Sequence, residues 1–271
     1  MTNLNAPIVI DISQESMIRS IDNSLSCYPY YLARLPHAEI HEDDDLLWID
    51  SGVPIYFFNG VFRSTIAAGH ARQRIDAIIQ SFRAAKQSFI WQIGPTSQPS
   101  DLPQHLLAAG FQHDESEPGM ALDLYHFQAE DVQPSAGIVV RQVVSEDMLK
   151  DWVNVWAFGA SDHIPLLQQM YAQLGYQDSS YRYYVSYLEG QPVATVMLFL
   201  AAGVAAVHHV VTLPEARNRG IGTAVTAHAL AEAKREGYRI AILTASEDGF
   251  NIYRKLGFQV YSTIHKYVYH V

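Results

Sequence analysis

Cys27 is the only cysteine in the sequence, so no internal disulfide can form and no cysteine-based metal site can be built. Charged residues are scarce at 17%, and no apolar run is long enough to cross a bilayer. The opening MTNLNAPIVIDIS has neither the basic start nor the long apolar core of a signal peptide. Basic charge is in deficit, with a formal net charge of −10. Residues 1–135 carry 7 Lys and Arg against 17 Asp and Glu, whereas residues 136–271 carry 11 of each, so the excess acid lies wholly in the first half. That argues against nucleic acid as a partner, because phosphate contacts need a basic surface. It suits a cationic amine substrate, although an acidic face ordinarily serves solubility. These absences leave a cytoplasmic protein with no membrane partner, and an oligomeric state that the sequence does not reveal.

What is present is apolar. At 271 residues and 49% hydrophobic content, the chain can bury a large core and has the length of two ordinary domains. Residues 8–12 (IVIDI) read as a strand, and Ser13 as the N-cap of a helix through Met17, Ile18, Ile21 and Leu25 that Tyr28-Pro29 breaks. The acids after His41 read as a solvated turn rather than a metal site. A strand follows at 46–49, and 55–58 with 61–62 reads as a strand or hairpin around Asn59-Gly60. A helix then spans about 69–86, a strand 88–93, a helix ends at Gly110-Phe111, and a strand covers 120–125. The polar, Pro- and Gly-containing stretch 128–137 reads as a linker.

After the linker the order begins again. A strand at 138–143 leads to a helix capped by Ser145, a second helix at about 165–174 and a hairpin of strands 181–188 and 192–200. The helix at 220–236, the strand at 239–244, the helix to Gly257-Phe258 and the strand at 263–269 match the order of 69–125. The expected organisation is therefore a two-copy repeat, 1–127 and 138–271.

The run from Val204 to Glu236 carries the most chemistry. A Val- and Ala-rich strand turns at Leu213-Pro214 and passes through Arg217-Asn218-Arg219-Gly220-Ile221-Gly222-Thr223 into an Ala-rich helix. The first-turn N–H groups of a helix lack intrahelical partners, and its dipole places about half a positive charge there, so this is an anion site. Neither GxxxxGK[ST] nor GxGxxG is present. The Arg-x-x-Gly-x-Gly spacing resembles the acyl-CoA pyrophosphate loop of the GNAT (general N-acetyltransferase) superfamily. The resemblance covers 138–271 strongly and 8–126 by pattern alone. The matching place in the first half, Ile66-Ala67-Ala68-Gly69-His70-Ala71, has lost the motif.

The resemblance implies an α/β (α+β) fold of two tandem GNAT-like domains, each a mixed, mostly antiparallel sheet flanked by helices. The first would be a degenerate copy serving as a packing partner or as one wall of the substrate cleft. It implies that Arg217, Asn218, Arg219, Gly220, Ile221, Gly222 and Thr223 cradle the pyrophosphate, and that Val210, Val211 and Thr212 lend backbone groups to the pantetheine arm. Ser246 stands where many members place an Asn that contacts the cofactor. Ser246–Phe258 resembles the family helix in which a tyrosine, here Tyr253, protonates the leaving thiolate. Members with a Glu on the strand equivalent to 239–244 have no counterpart here. His208 and His209 are expected on opposite faces of their strand, with His209 the better general base, and Asp162-His163 is a further cleft possibility. The implied activity is acetyl transfer from acetyl-CoA to a primary amine, small molecule or peptide, by direct attack and without a metal. The alternative is a CoA-binding sensor or a non-catalytic interaction module.

Overall fold

Ser13 accepts a hydrogen bond from the Ser16 N–H at 3.3 Å and opens the first helix, α1 (Gln14–Leu32). The computed structural model describes residues 4–132 and 137–271. Helix α1 does not break at Tyr28-Pro29. Pro29 removes one helical N–H near the C-terminal end, and burial of Tyr31 and Leu32 outweighs that loss. Residues 8–12 are not a strand either. The Val9 N–H donates to the Gly203 carbonyl at 2.9 Å, while Ile8, Ile10 and Ile12 remain exposed, so no ladder forms.

The first half continues with β1 (Glu39–Glu42), β2 (Leu46–Asp50), a 3-10 turn at Tyr56–Phe58 where a strand was expected, and β3 (Gly60–Ser64). It ends with α2 (Ala71–Ala85), β4 (Phe89–Ile93), α3 (Leu102–Ala108) and β5 (Gln112–Asp123). Strand β5 begins eight residues earlier than its apolar alternation suggests, because HDESEPG carries no hydrophobic signal. Of the expected linker, residues 133–136 lie outside the described residues. The second half comprises β6 (Ile138–Gln142), α4 (Glu146–Trp156), a 3-10 stretch at Phe158–His163, α5 (Ile164–Leu174), β7 (Tyr181–Leu188) and β8 (Gln191–Ala201). It closes with β9 (Val204–Thr212), α6 (Ile221–Arg235), β10 (Ile240–Thr244), α7 (Glu247–Lys255) and β11 (Gln259–Tyr269).

All these strands form one sheet of order β1-β2-β3-β4-β11-β5-β10-β9-β8-β7-β6. Its centre is an exchange. The last strand of the first half, β5, pairs with β10 from Ile240↔Asp123 to Thr244↔Gly119, and the last strand of the second half, β11, pairs with β4 from His265↔Ile93 to Tyr269↔Phe89. The two exchanged strands pair antiparallel with each other. Arg239 clamps the crossing, donating to Asp123 at 2.8 Å.

Side-chain alternation feeds both faces of the sheet. Ile240 and Ile242 join a core with α1, α4 and α5, whereas Ala241 and Leu243 face α6 and α7. Phe89 and Trp91 face α2 and α3. Fully buried Trp152 anchors the α4 side, its indole N–H donating to the Val196 carbonyl at 3.2 Å. The result is a mixed, mostly antiparallel sheet flanked by helices on both faces.

Candidate active site

Strand β9 ends at Thr212, and a 3-10 turn at Pro214–Ala216 leads to Arg217. Asn218 (φ 60°) and Gly220 (φ 73°) both take the left-handed conformation, which costs a residue with a Cβ about 1–2 kcal/mol. Gly220 caps α6, and no side chain closes the first turn of that helix. A Cβ on Gly222 would come within 3.1 Å of Thr212 Oγ1, so the glycine lets the helix start lie against the end of β9. Arg217 braces the turn, its Nε donating to the Thr212 carbonyl at 3.1 Å, and its guanidinium lies 3.8 Å from Asp248. The residues 217–223 thus come together as one short loop opening onto a helix N-terminus.

Beside the loop the sheet splits. Parallel β10 pairs with β9 only at Ala205 and Ala206, while β9 stays paired with β8 through Val211 and Thr212. Between these points β9 bulges, because three steps from His208 to Val211 match two from Thr195 to Met197. His209 takes the left-handed conformation (φ 53°) in the bulge, and its carbonyl accepts from Thr195 Oγ1 at 3.0 Å. The two histidines therefore do not point to opposite faces. The bulge re-aims one of them, and both line a single cleft.

That cleft has a volume of about 380 Å³ and is lined by both halves of the chain. His209 packs edge-on against the stacked rings of Trp152 and Trp156, with Tyr28 Oη 3.3 Å from its Nε2. Burial, with the neighbouring His208 charge, lowers His209 to about 3, and burial lowers His208 to about 4. Both rings are neutral near pH 7. Val210, Thr244, Ser246 and Tyr253 line the same cleft. Ser246 serves first as the N-cap of α7, accepting from the Gly249 N–H at 3.2 Å. Burial, helped by the nearby charge of Glu117, raises the Tyr253 hydroxyl to about 12, so it holds its proton at neutral pH.

Asp162 and His163 are not brought to this place; they are exposed on the 3-10 stretch before α5. The carboxylates that do face the cleft come from the first half. Glu117 and Glu115 on β5 both bind Lys266 of β11, at 2.8 and 2.5 Å, and Asp114 lies beside them. Sequence reasoning missed these residues because nothing in the local pattern announces that β5 crosses into the other half. It also missed Gly249, where a Cβ would come within 2.7 Å of the Tyr253 ring.

Residues 143–258 match the model of the Acetyltransferase (GNAT) family. That stretch is a GNAT-family acetyltransferase domain. The enzyme class it implies is N-acetyltransferase. Solved structures extend the likeness over the whole chain. A GCN5-related N-acetyltransferase from Kribbella flavida superposes with a TM-score of 0.72 at 20% identity, covering 96% of each chain. A functionally unknown conserved protein from Staphylococcus epidermidis gives 0.66 at 15% identity, over 85% of this chain and 92% of its own. A tandem GNAT protein from the clavulanic acid biosynthesis pathway gives 0.59 at 13% identity over 97% of each. No curated protein matches the sequence. At these identities the structures establish a shared fold, including the tandem GNAT arrangement, and nothing about substrate.

Proposed function

We propose that the protein transfers an acetyl group from acetyl-CoA to a primary amine, with the cofactor in the second GNAT domain (residues 138–271) and the degenerate first copy (residues 1–127) forming one wall of the cleft. The observation that carries this reading is the uncapped start of α6 beside the split between β9 and β10. The diphosphate would sit against Arg217, Asn218, Arg219, Gly220, Ile221, Gly222 and Thr223, where free first-turn N–H groups and the helix dipole favour a doubly charged anion. Beyond Ala206 the β9 edge facing β10 has no strand partner, so Val210, Val211 and Thr212 can bond an extended arm as an added strand would. Ser246 stands at the same opening. The thioester supplies an acyl carbon activated toward direct attack.

The chain's own groups then account for the protons. Tyr253, protonated at neutral pH, donates to the departing sulfur as the C–S bond breaks, and regains a proton from solvent. The amine must lose a proton to form the new C–N bond. His209 faces the acceptor, but its depressed basicity and its contact with Tyr28 suit it to orienting the amine. Glu117 is the better proton acceptor, directly or through water, because it is a carboxylate lining the same cleft as Tyr253. Cys27, the lone cysteine, is buried and outside the residues lining the cleft, so the reading needs no acyl-cysteine.

Titration calorimetry with acetyl-CoA, followed by thiol release with added amines, tests the proposal. Wild-type protein should bind acetyl-CoA and release thiol when a suitable amine is added. Gly220→Asp, which sets a carboxylate against the diphosphate, should remove binding while circular dichroism stays that of the wild type. Unchanged affinity in that variant would refute the site, and binding without turnover of any amine would favour the sensor reading.

A further inference from the structure

The half of the chain that lacks the anion loop supplies all the carboxylates that line the cleft. Strand β5 brings Asp114, Glu115 and Glu117 to it, although an alternating strand would turn Asp114 away. A bulge explains this. The β5–β11 register runs from Glu115↔Lys266 to His113↔Tyr267, leaving Asp114 as the extra residue and re-aiming its side chain. Lys266 is the only cationic side chain lining the cleft among the described residues, and it is shared by Glu115 and Glu117. Among the described residues Asp114 has only the Tyr56 hydroxyl, 3.4 Å away. The cleft therefore carries two carboxylates more than it has cations.

Two further observations bear on what meets that charge. The rings of Tyr28, Tyr56, Phe57 and Trp156 line the same space, and aromatic faces attract cations. The Nε2 of His208 is buried without a hydrogen-bond partner, on a ring that lines the cleft. A neutral imidazole nitrogen can accept from an ammonium group. An acidic cavity with low-dielectric walls concentrates positive ligands.

We infer that the acceptor is an amine bearing a second positive charge, a diamine or a longer polyamine, whose distal ammonium lies against Asp114 and Glu115 while its reacting nitrogen faces Glu117. This inference rests on the acetyl-transfer reading and adds the acceptor class to it. The exchange of β5 gives the first copy a function that its lost anion loop does not suggest, since it selects the amine for a reaction carried out in the second.

The experiment is thiol release from acetyl-CoA with matched amines: 1,2-diaminoethane through 1,6-diaminohexane and spermidine, each against the monoamine of the same chain length. The expected result is a kcat/KM at least tenfold higher for the best dication than for its monoamine, with the advantage shrinking as salt rises from 50 to 500 mM. Asp114→Asn should lower that ratio several-fold, with acetyl-CoA affinity by calorimetry reporting that the variant is folded. Binding of acetyl-CoA with equal turnover of the paired amines, or a ratio that Asp114→Asn leaves intact, overturns this inference alone. Failure of wild-type protein to bind acetyl-CoA overturns it together with the reading beneath it.

Discussion

The two halves place a strand, a turn and a fifteen-residue helix in the same order, yet only the second turn carries the Arg-x-x-Gly-x-Gly spacing. In the second half β9 and β10 part after Ala206, and α6 starts at a left-handed glycine with no side-chain cap. In the first half the corresponding seam is shut. The Gln98 N–H donates to the Ser64 carbonyl at 2.9 Å, and the Ile66 N–H donates to the Gln98 carbonyl at 3.0 Å. Ile66 is buried in the turn, and Arg74 in the early part of α2 is occupied by Asp43 and by Asp45 at 2.7 Å. One seam opens beside arginines, whereas the other is bridged through Gln98 and presents carboxylates, although α2 like α6 starts without a side-chain cap. In the first half it is the strand seam, not the start of the helix, whose peptide groups have found partners within the chain.

The largest effect that could break this comparison is a matched pair of substitutions. Gly220→Asp should weaken acetyl-CoA binding at least a hundredfold, about 2.7 kcal/mol. Gly69→Asp, at the equivalent turn, should leave affinity unchanged; Gly69 also has a positive φ (86°), and a Cβ there would meet nothing within 4 Å. Calorimetry on both variants decides it. Equal losses would mean that the anion loop is not the site.

Next in size is the chemistry. Counting back five residues from the Gly-Phe exit of each last helix reaches Tyr253 in one half and Leu106 in the other, both buried. Tyr253→Phe keeps the packing and removes the acid, so kcat should fall about a hundredfold with acetyl-CoA affinity retained. Glu117→Gln should lower kcat/KM about thirtyfold, least at high pH where the amine is already neutral. His209→Gln should cost less than about fivefold, in line with an orienting role. A larger loss for His209→Gln than for Glu117→Gln would reverse the assignment of the proton acceptor.

Much of this was legible in the sequence, for identifiable reasons. The repeated order of elements, the glycine turn onto α6 and the helix that brings Tyr253 to the cleft are local patterns, each carried by a few adjacent residues and the elements flanking them. What was illegible is non-local. The exchange of β5 and β11 rests on pairing between residues far apart in the chain, such as Ile240 with Asp123, and the polar run HDESEPG gives no hint that it forms a strand. The expected opposition of His208 and His209 assumed strict alternation, which one inserted residue at His209 defeats. Pro29 failed as a helix break because burial of the turn after it could not be weighed from sequence.

The smallest expected effect concerns pH and separates the halves by their acid-labile groups. His208 and His209 are held neutral by burial, with folded values of about 4 and about 3 against 6.5 unfolded. Between those limits the unfolded chain binds protons that the folded chain refuses, so stability rises with pH there and is lost as pH falls from 6.5 towards 4. Asp22, raised by burial, acts in the opposite sense at the lower end of that range. In the first half burial raises Asp43, but hydrogen bonds from Asp45, the Leu46 N–H and Arg74 outweigh it and bring the group to about 2. Its contribution is lost only below about pH 4. Thermal melts should therefore show a decline in Tm between pH 6.5 and 4.5 that His208→Gln with His209→Gln largely removes. Hydrogen exchange at pH 5 should find β9 less protected, relative to pH 7, than β3. A melt curve flat across that range would mean that the two imidazoles have ready access to water and are not held neutral by the fold.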